Sequence, residues 1–252
     1  KDSFDSTSVD FEKFKAKKSG AKTIGVPKEF FSLREGGKEG LDKDIAINIL
    51  KAVDFFKDNG YLIKEVSLPY VEYSLPTYYI LMPAEVSANL ARFDGIRYGF
   101  SEKGDNLLED YMKTRGEGFG KEARRRVILG TYVLSAGYYD AYYNQAQKIR
   151  DLIRKDFENV FKEVDVLITP TTPTLPFKIG EKSDDPLQMY LSDIFTVPVN
   201  LAGIPAISVP MGFVTRDNVK LPTGIQFIGP WFGEEVLFDL SKKFEYARAN
   251  IY

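Results

Sequence analysis

A single β-α-β pattern near the start does most to limit what this chain can fold into. Residues 23–26 (Thr-Ile-Gly-Val) read as a short strand, followed by a loop through Gly36, Gly37 and Gly40 and a helix beginning near Asp42. Ile45, Ile49, Val53 and Phe56 recur at helical spacing and form its apolar stripe. Asn59-Gly60 supplies a left-handed stop, and residues 61–68 read as a second strand. Strands joined in this way by a helix lie parallel with a right-handed crossover, so the expected class is α/β.

Later elements keep that alternation. Pro83 fits the first turn of a helix running through Phe93, where its missing N–H costs nothing. A second helical stretch covers 106–113. The longest, 121–162, contains Gly130 and Gly137, each weakening a helix by ~1 kcal/mol relative to Ala, so a break is expected near Ser135-Ala136-Gly137. Its first part, 127–134, is apolar almost all round, which marks a buried helix.

Residues 164–168 read as a covered strand running into the stiff segment Pro170-Thr171-Thr172-Pro173-Thr174-Leu175-Pro176, placed to rim a site. After a turn at Asp184-Asp185, Pro186 opens a helix reaching about Phe195. Strands follow at 206–213 and 224–228, joined by a loop over 215–222, and a helix over 234–249 closes the chain. The whole reads as an α/β sheet with a mostly helical insertion over about 71–162.

Composition removes most routes to catalysis. The 252 residues contain neither His nor Cys, which excludes a Ser-His-Asp triad, a Cys-His pair and ordinary zinc sites. Thirty-four basic residues face 36 acidic ones, so no basic field exists to hold a nucleic-acid backbone. No apolar stretch approaches the roughly 18–20 residues that span a bilayer. The first residues, Lys1 to Asp5, carry neither an initiator Met nor a signal-peptide pattern, so the expectation is a cytoplasmic protein of which this chain is one part.

Three features invite a functional reading. Arg124-Arg125-Arg126 cannot share one face of a helix, because successive residues rotate by about 100°. If the helix is buried, at least one arginine points inward and needs an anion, either a structural carboxylate or a ligand's, and spacing does not choose among the three. Asp193 lies among apolar and aromatic neighbours, where a turn cap or local ion pair competes with a ligand role. The 15 tyrosines, Tyr78-Tyr79 and Tyr138-Tyr139 among them, read mostly as core residues with a polar edge. An inward Arg with an inward Asp would match a zwitterionic amino acid, the guanidinium forking its carboxylate and the acid holding its ammonium.

Residues 79–99 (Tyr-Ile-Leu-Met-Pro-Ala-Glu-Val-Ser-Ala-Asn-Leu through Tyr98-Gly99), Glu117-Gly118-Phe119-Gly120, Leu129-Gly130-Thr131-Tyr132 and residues 135–143 carry a resemblance to a known family. So do Asp185-Pro186-Leu187-Gln188-Met189-Tyr190 and residues 200–206 (Asn-Leu-Ala-Gly-Ile-Pro-Ala). From about Asp5 onward the chain resembles the C-terminal half of amidase-signature proteins, and within that family the glutaminase (A) subunits of tRNA-dependent amidotransferases.

The resemblance implies that residues 1–252 are the C-terminal part of a single amidase-signature domain, with a mixed, largely parallel sheet flanked by helices. It implies a Ser nucleophile, a second Ser in a cis peptide and a Lys base, all in an N-terminal half that this sequence does not match. No catalytic residue is therefore assigned, Ser6 and Ser8 included, no metal ligand is assigned, and the isolated chain is expected to be inactive. What the resemblance carries over is a glutamine pocket, with Arg126 on the α-carboxylate, Asp193 on the α-ammonium and Tyr78 bordering the pocket and the ammonia path.

The implied partners are B and C subunits in a heterotrimer. The B subunit would use ATP and Mg to amidate Glu-tRNA(Gln) with ammonia from glutamine. The alternatives are another amidase-signature hydrolase of small amides, or a non-catalytic binding fragment. If the chain is half a domain, its sheet is expected to end in an open edge with apolar surface exposed.

Overall fold

The computed structural model describes residues 20–31, 40–182 and 185–248; Ser6, Ser8, Gly36, Gly37 and Asp184 lie outside them. The chain divides into two compact units, Lys1–Leu75 with Arg150–Tyr252, and Pro76–Ile149.

The first unit is built on a five-stranded sheet. Strand β1 (Thr23–Pro27) leads through a short 3-10 turn and residues 40–42 to α1 (Lys43–Asp58), then β2 (Leu62–Val66). All four residues of the expected stripe on α1, Ile45, Ile49, Val53 and Phe56, are buried. Asp42 caps the helix by accepting from the Asp44 N–H at 2.9 Å, and Gly60 takes the expected positive φ of 84° after it.

β1 pairs in parallel with β2 and with β3 (Val166–Pro170), every residue of which is buried. The sheet order is β2-β1-β3-β5-β4, where β4 (Ala206–Arg216) and β5 (Val219–Ile228) form an antiparallel hairpin added to β3. The sheet is thus mixed and flanked by helices, its parallel part confined to β1, β2 and β3.

Two expectations change here. The loop over 215–222 is instead a two-residue turn, because Asp217 and Asn218 accept positive φ of 50° and 62° and let the strands continue to Arg216 and resume at Val219. Pro210 is tolerated within β4 because a bulge between Pro210 and Gly212 interrupts the ladder beside it. The helix from Pro186 stops early: α6 (Pro186–Leu191) ends in a turn before α7 (Val197–Ala202). The closing helix α8 (Glu234–Ala247) lays Leu237, Leu240 and Phe244 against the sheet, and Phe244 stacks on Phe56 at 5.9 Å. Each such side chain contributes roughly 1.5–3 kcal/mol by burial.

The second unit is helical. It contains most of α2 (Ser74–Leu90), then α3 (Leu107–Gly118), α4 (Lys121–Val133), a π-helical turn (Tyr139–Tyr143) and the start of α5 (Asn144–Val160). The expected break falls at 134–138, with Gly137 at φ 85°. Pro83, however, lies inside α2 and not at a helix start. A proline there costs about 3 kcal/mol in principle; the flanking Leu81 and Ala84 are buried and anchor both halves of the helix. Arg115 closes the C-terminal end of α2 by donating to the Leu90 and Phe93 carbonyls at 2.7 and 3.0 Å.

Residues 127–134 are not buried as expected. Gly130 and Val133 are, but Ile128 is 69% exposed and Tyr132 48%. The helix rests on α2 along one narrow stripe, leaving its other apolar faces open among the described residues. In the first unit Leu62 and Phe213 stand exposed on the two edge strands β2 and β4.

Candidate functional site

Helix α4 separates the three arginines as rotation about its axis requires. Arg124 turns back to the Phe119 carbonyl at 2.7 Å and to the Gly116 carbonyl. Arg125 pairs with Glu122 at the surface. Arg126 faces α2: its side chain is 27% exposed, its Nε donates to Glu122 Oε1 at 2.8 Å and its Nη1 lies 3.0 Å from Met82 Sδ.

Two tyrosines complete this cluster. The Arg126 guanidinium sits 5.9 Å from the Tyr79 ring centre, and Tyr79 meets Tyr78 edge to face at 5.3 Å. Burial lowers the pKa of Arg126, but the hydrogen bond and charge of Glu122, with Tyr79 and Tyr78, outweigh it and raise the pKa further above the ordinary arginine value. The group is a permanent, partly desolvated cation. Arg126 and Tyr78 are thus brought into one cluster within the helical unit. Sequence reasoning missed Tyr79, Met82 and Glu122, although the four-residue spacing of Glu122 and Arg126 is a helix-pair signal.

Asp193 belongs to the other unit. Asp185 caps α6 by accepting from Leu187 and Gln188 N–H at 3.0 and 3.2 Å, and the turn that follows carries Asp193, exposed and not inward. The Asp193 carbonyl accepts from the Thr196 and Val197 N–H at 3.0 Å each and from Thr196 Oγ1 at 3.1 Å, which closes the turn into α7.

Beside this turn lies a cavity of about 430 Å³ whose polar lining includes Thr171, Thr196, Asn200, Ser208 and Gln226. Thr171 and Ser208 hydroxyls lie 2.9 Å apart across it. A second cavity of about 320 Å³ is lined by Phe30, Leu41, Pro173, Ile194 and Phe195, with Glu29 at its polar side. The stiff 170–176 segment contributes a residue to each. Among the described residues no group of three or more carboxylates is placed to hold a metal ion.

The profile described as Amidase matches residues 1–238. The chain belongs to the amidase family. It is 51% identical over 249 residues to a protein of Pelagibacter ubique named as the A subunit of glutamyl-tRNA(Gln) amidotransferase, covering 97% of this chain and 50% of that protein. A protein of the same name from Halothermothrix orenii is 53% identical over 253 residues, with 98% and 51% covered. The crystal structure of the glutamyl-tRNA(Gln) amidotransferase A subunit from Thermotoga maritima superposes with a TM-score of 0.63 at 36% identity, covering 90% of this chain and 42% of that one. This amidase-family chain therefore spans about half the length of the relatives it matches.

Proposed function

We propose that this chain is the glutamine-selecting half of the glutaminase (A) subunit of a tRNA-dependent amidotransferase. The reading rests above all on 51–53% identity, across nearly the whole chain, with proteins of that name. The surroundings of Arg126 support it: a permanent guanidinium, partly withdrawn from water and faced by tyrosines, suits the α-carboxylate of glutamine; in this reading Asp193, on the other unit, would take the α-ammonium. A ligand lacking the α-carboxylate would forgo the charge-assisted bonds to the outer edge of the guanidinium, which gives selectivity.

In this reading residues 1–252 form one part of a single amidase domain. The serines and lysine of the family's chemistry come from the half of the relatives that this chain does not span, and that half covers the open apolar faces of α4. Ammonia released from glutamine passes to a cytoplasmic B subunit, where ATP and Mg²⁺ serve the amidation of Glu-tRNA(Gln), with a C subunit joining the two.

The test is reconstitution of the full-length protein with its B and C partners and measurement of glutamine-dependent Gln-tRNA(Gln) formation. Arg126→Ala is expected to raise the glutamine KM at least tenfold while free ammonia still supports amidation. An unchanged KM removes Arg126 from the pocket. Hydrolysis of simple amides with no transfer to tRNA favours a general amidase.

A further inference from the structure

Gln226 is a buried polar side chain held beside the Asp193 turn. Its residue is 4% exposed, and its backbone occupies the middle of the sheet, paired with Thr169 of β3 on one side and Ser208 of β4 on the other. Its side-chain Nε2 donates to Thr169 Oγ1 at 2.9 Å and to the Phe195 carbonyl at 3.1 Å. A buried amide with both donors engaged in this way has one orientation, because any other leaves donors unpaired.

The Phe195 carbonyl is two residues beyond Asp193, in the turn closed by the Asp193 carbonyl. The Phe195 ring is fixed as well, stacked on Phe30 at 5.3 Å. The turn carrying an exposed aspartate is therefore referenced to the rigid sheet through one buried side-chain hydrogen bond. Turns at a surface otherwise vary in position by more than a binding carboxylate tolerates.

We infer that Gln226 is a positioning residue for the Asp193 carboxylate, setting the recognition of the substrate's α-ammonium without touching substrate. This rests on the reading of Asp193 given above. Loss of the Gln226 amide frees the Phe195 carbonyl and lets the turn drift, so the ammonium contact weakens while the reacting centre keeps its groups.

The test uses the full-length protein in its assembled complex, with Asp193→Asn, Gln226→Met and the milder Thr169→Val, which removes the partner that orients the amide. Glutaminase kinetics are measured with glutamine and with 4-carbamoylbutanoate, which lacks the α-ammonium. Gln226→Met is expected to raise the glutamine KM about tenfold at nearly constant kcat. It should lower the preference for glutamine over 4-carbamoylbutanoate toward that of Asp193→Asn, with Thr169→Val changing both in the same direction by less.

Equal losses on both substrates, or a fall in kcat with KM unchanged, would mean a merely structural glutamine and overturn the inference. If Gln226→Met does not fold, Thr169→Val decides by the same criterion. An unaltered preference in Asp193→Asn overturns the reading of Asp193 itself. A lowered preference there but not in the other variants overturns only the role of Gln226.

Discussion

Gly130→Ala sets two physical rules against each other. By helix propensity alone, alanine in the middle of α4 should stabilise the chain by about 1 kcal/mol. In the structure a β-carbon at this position would stand 1.9 Å from the Pro83 carbonyl oxygen, 2.5 Å from its carbon and 2.6 Å from Ser87 Cβ. Real β-carbons essentially never approach within 3.0 Å, so α4 must withdraw from α2 by more than 1 Å. Two of the three obstacles are main-chain atoms, and no rotamer change relieves them. Overpacking costs about 1–3 kcal/mol, and a backbone obstacle belongs at the upper end, which leaves a net destabilisation of about 2 kcal/mol after the propensity gain.

For a chain of this size that corresponds to a fall in Tm of roughly 4–8 °C, read by far-ultraviolet circular dichroism or as a lower urea midpoint. Arg126 lies one turn before Gly130 on the same face, with its Nη1 3.0 Å from Met82 on α2. A separation of more than 1 Å also breaks that contact and the Ser87–Thr131 hydroxyl bond of 2.9 Å. If Arg126 holds glutamine as proposed, the same variant in the full-length protein should need more glutamine. A Tm equal to or above that of the parent would refute the close contact between the helices.

Tyr132 is pushed up to about 12, first by its side-chain hydrogen bond to Tyr138, then by partial desolvation and the Tyr138 and Tyr142 phenols. The native state's preference for the protonated phenol is complete below the ordinary tyrosine range and is lost as pH rises through about 12; ultraviolet titration should show a late-ionising tyrosine that Tyr138→Phe brings down, and an unchanged curve would count against the pair. At the β4–β5 turn, Asn218→Val should lower stability by about 1–3 kcal/mol because a β-branched residue resists φ of 62°, while Asn218→Gly is neutral or slightly stabilising. Equal urea midpoints for the two variants would rule out the two-residue turn.

The β-α-β unit was legible because its signals are local: the stripe Ile45, Ile49, Val53 and Phe56 repeats at helical spacing, and Asn59-Gly60 marks the stop. The break at Gly137 was legible for the same reason. Pro83 misled because an isolated proline reads as a helix start, whereas the packing of Leu81 and Ala84 carries the helix through it. The 127–134 helix misled because hydrophobicity all round records what a segment can be covered by, not what covers it among the residues of one chain. Glu122 was within reach of the sequence as a partner at four residues, but Tyr79 and Met82 come from another helix and required the α2–α4 contact. The Gln226 to Phe195 bond joins residues 31 positions apart, which no local rule reaches.

The surroundings of Arg126 bear on why an arginine, and not a lysine, fits the role proposed for it. Glu122 takes the Nε edge through a four-residue helix pair whose carboxylate is 44% exposed, an interaction worth well under 1 kcal/mol and one that holds the guanidinium plane in place. Its Nη1 faces Met82 sulfur, a weak acceptor that a carboxylate displaces at small cost. One edge of the fork is thus spent on orientation while the outer edge is left for two parallel N–H···O bonds to a ligand. A lysine ammonium could answer Glu122 or a ligand but has no second edge with which to be oriented by the one and bound by the other. The partial burial of the group then matters for selectivity: less water competes for the outer edge of the guanidinium, so its bonds to a small carboxylate count for more.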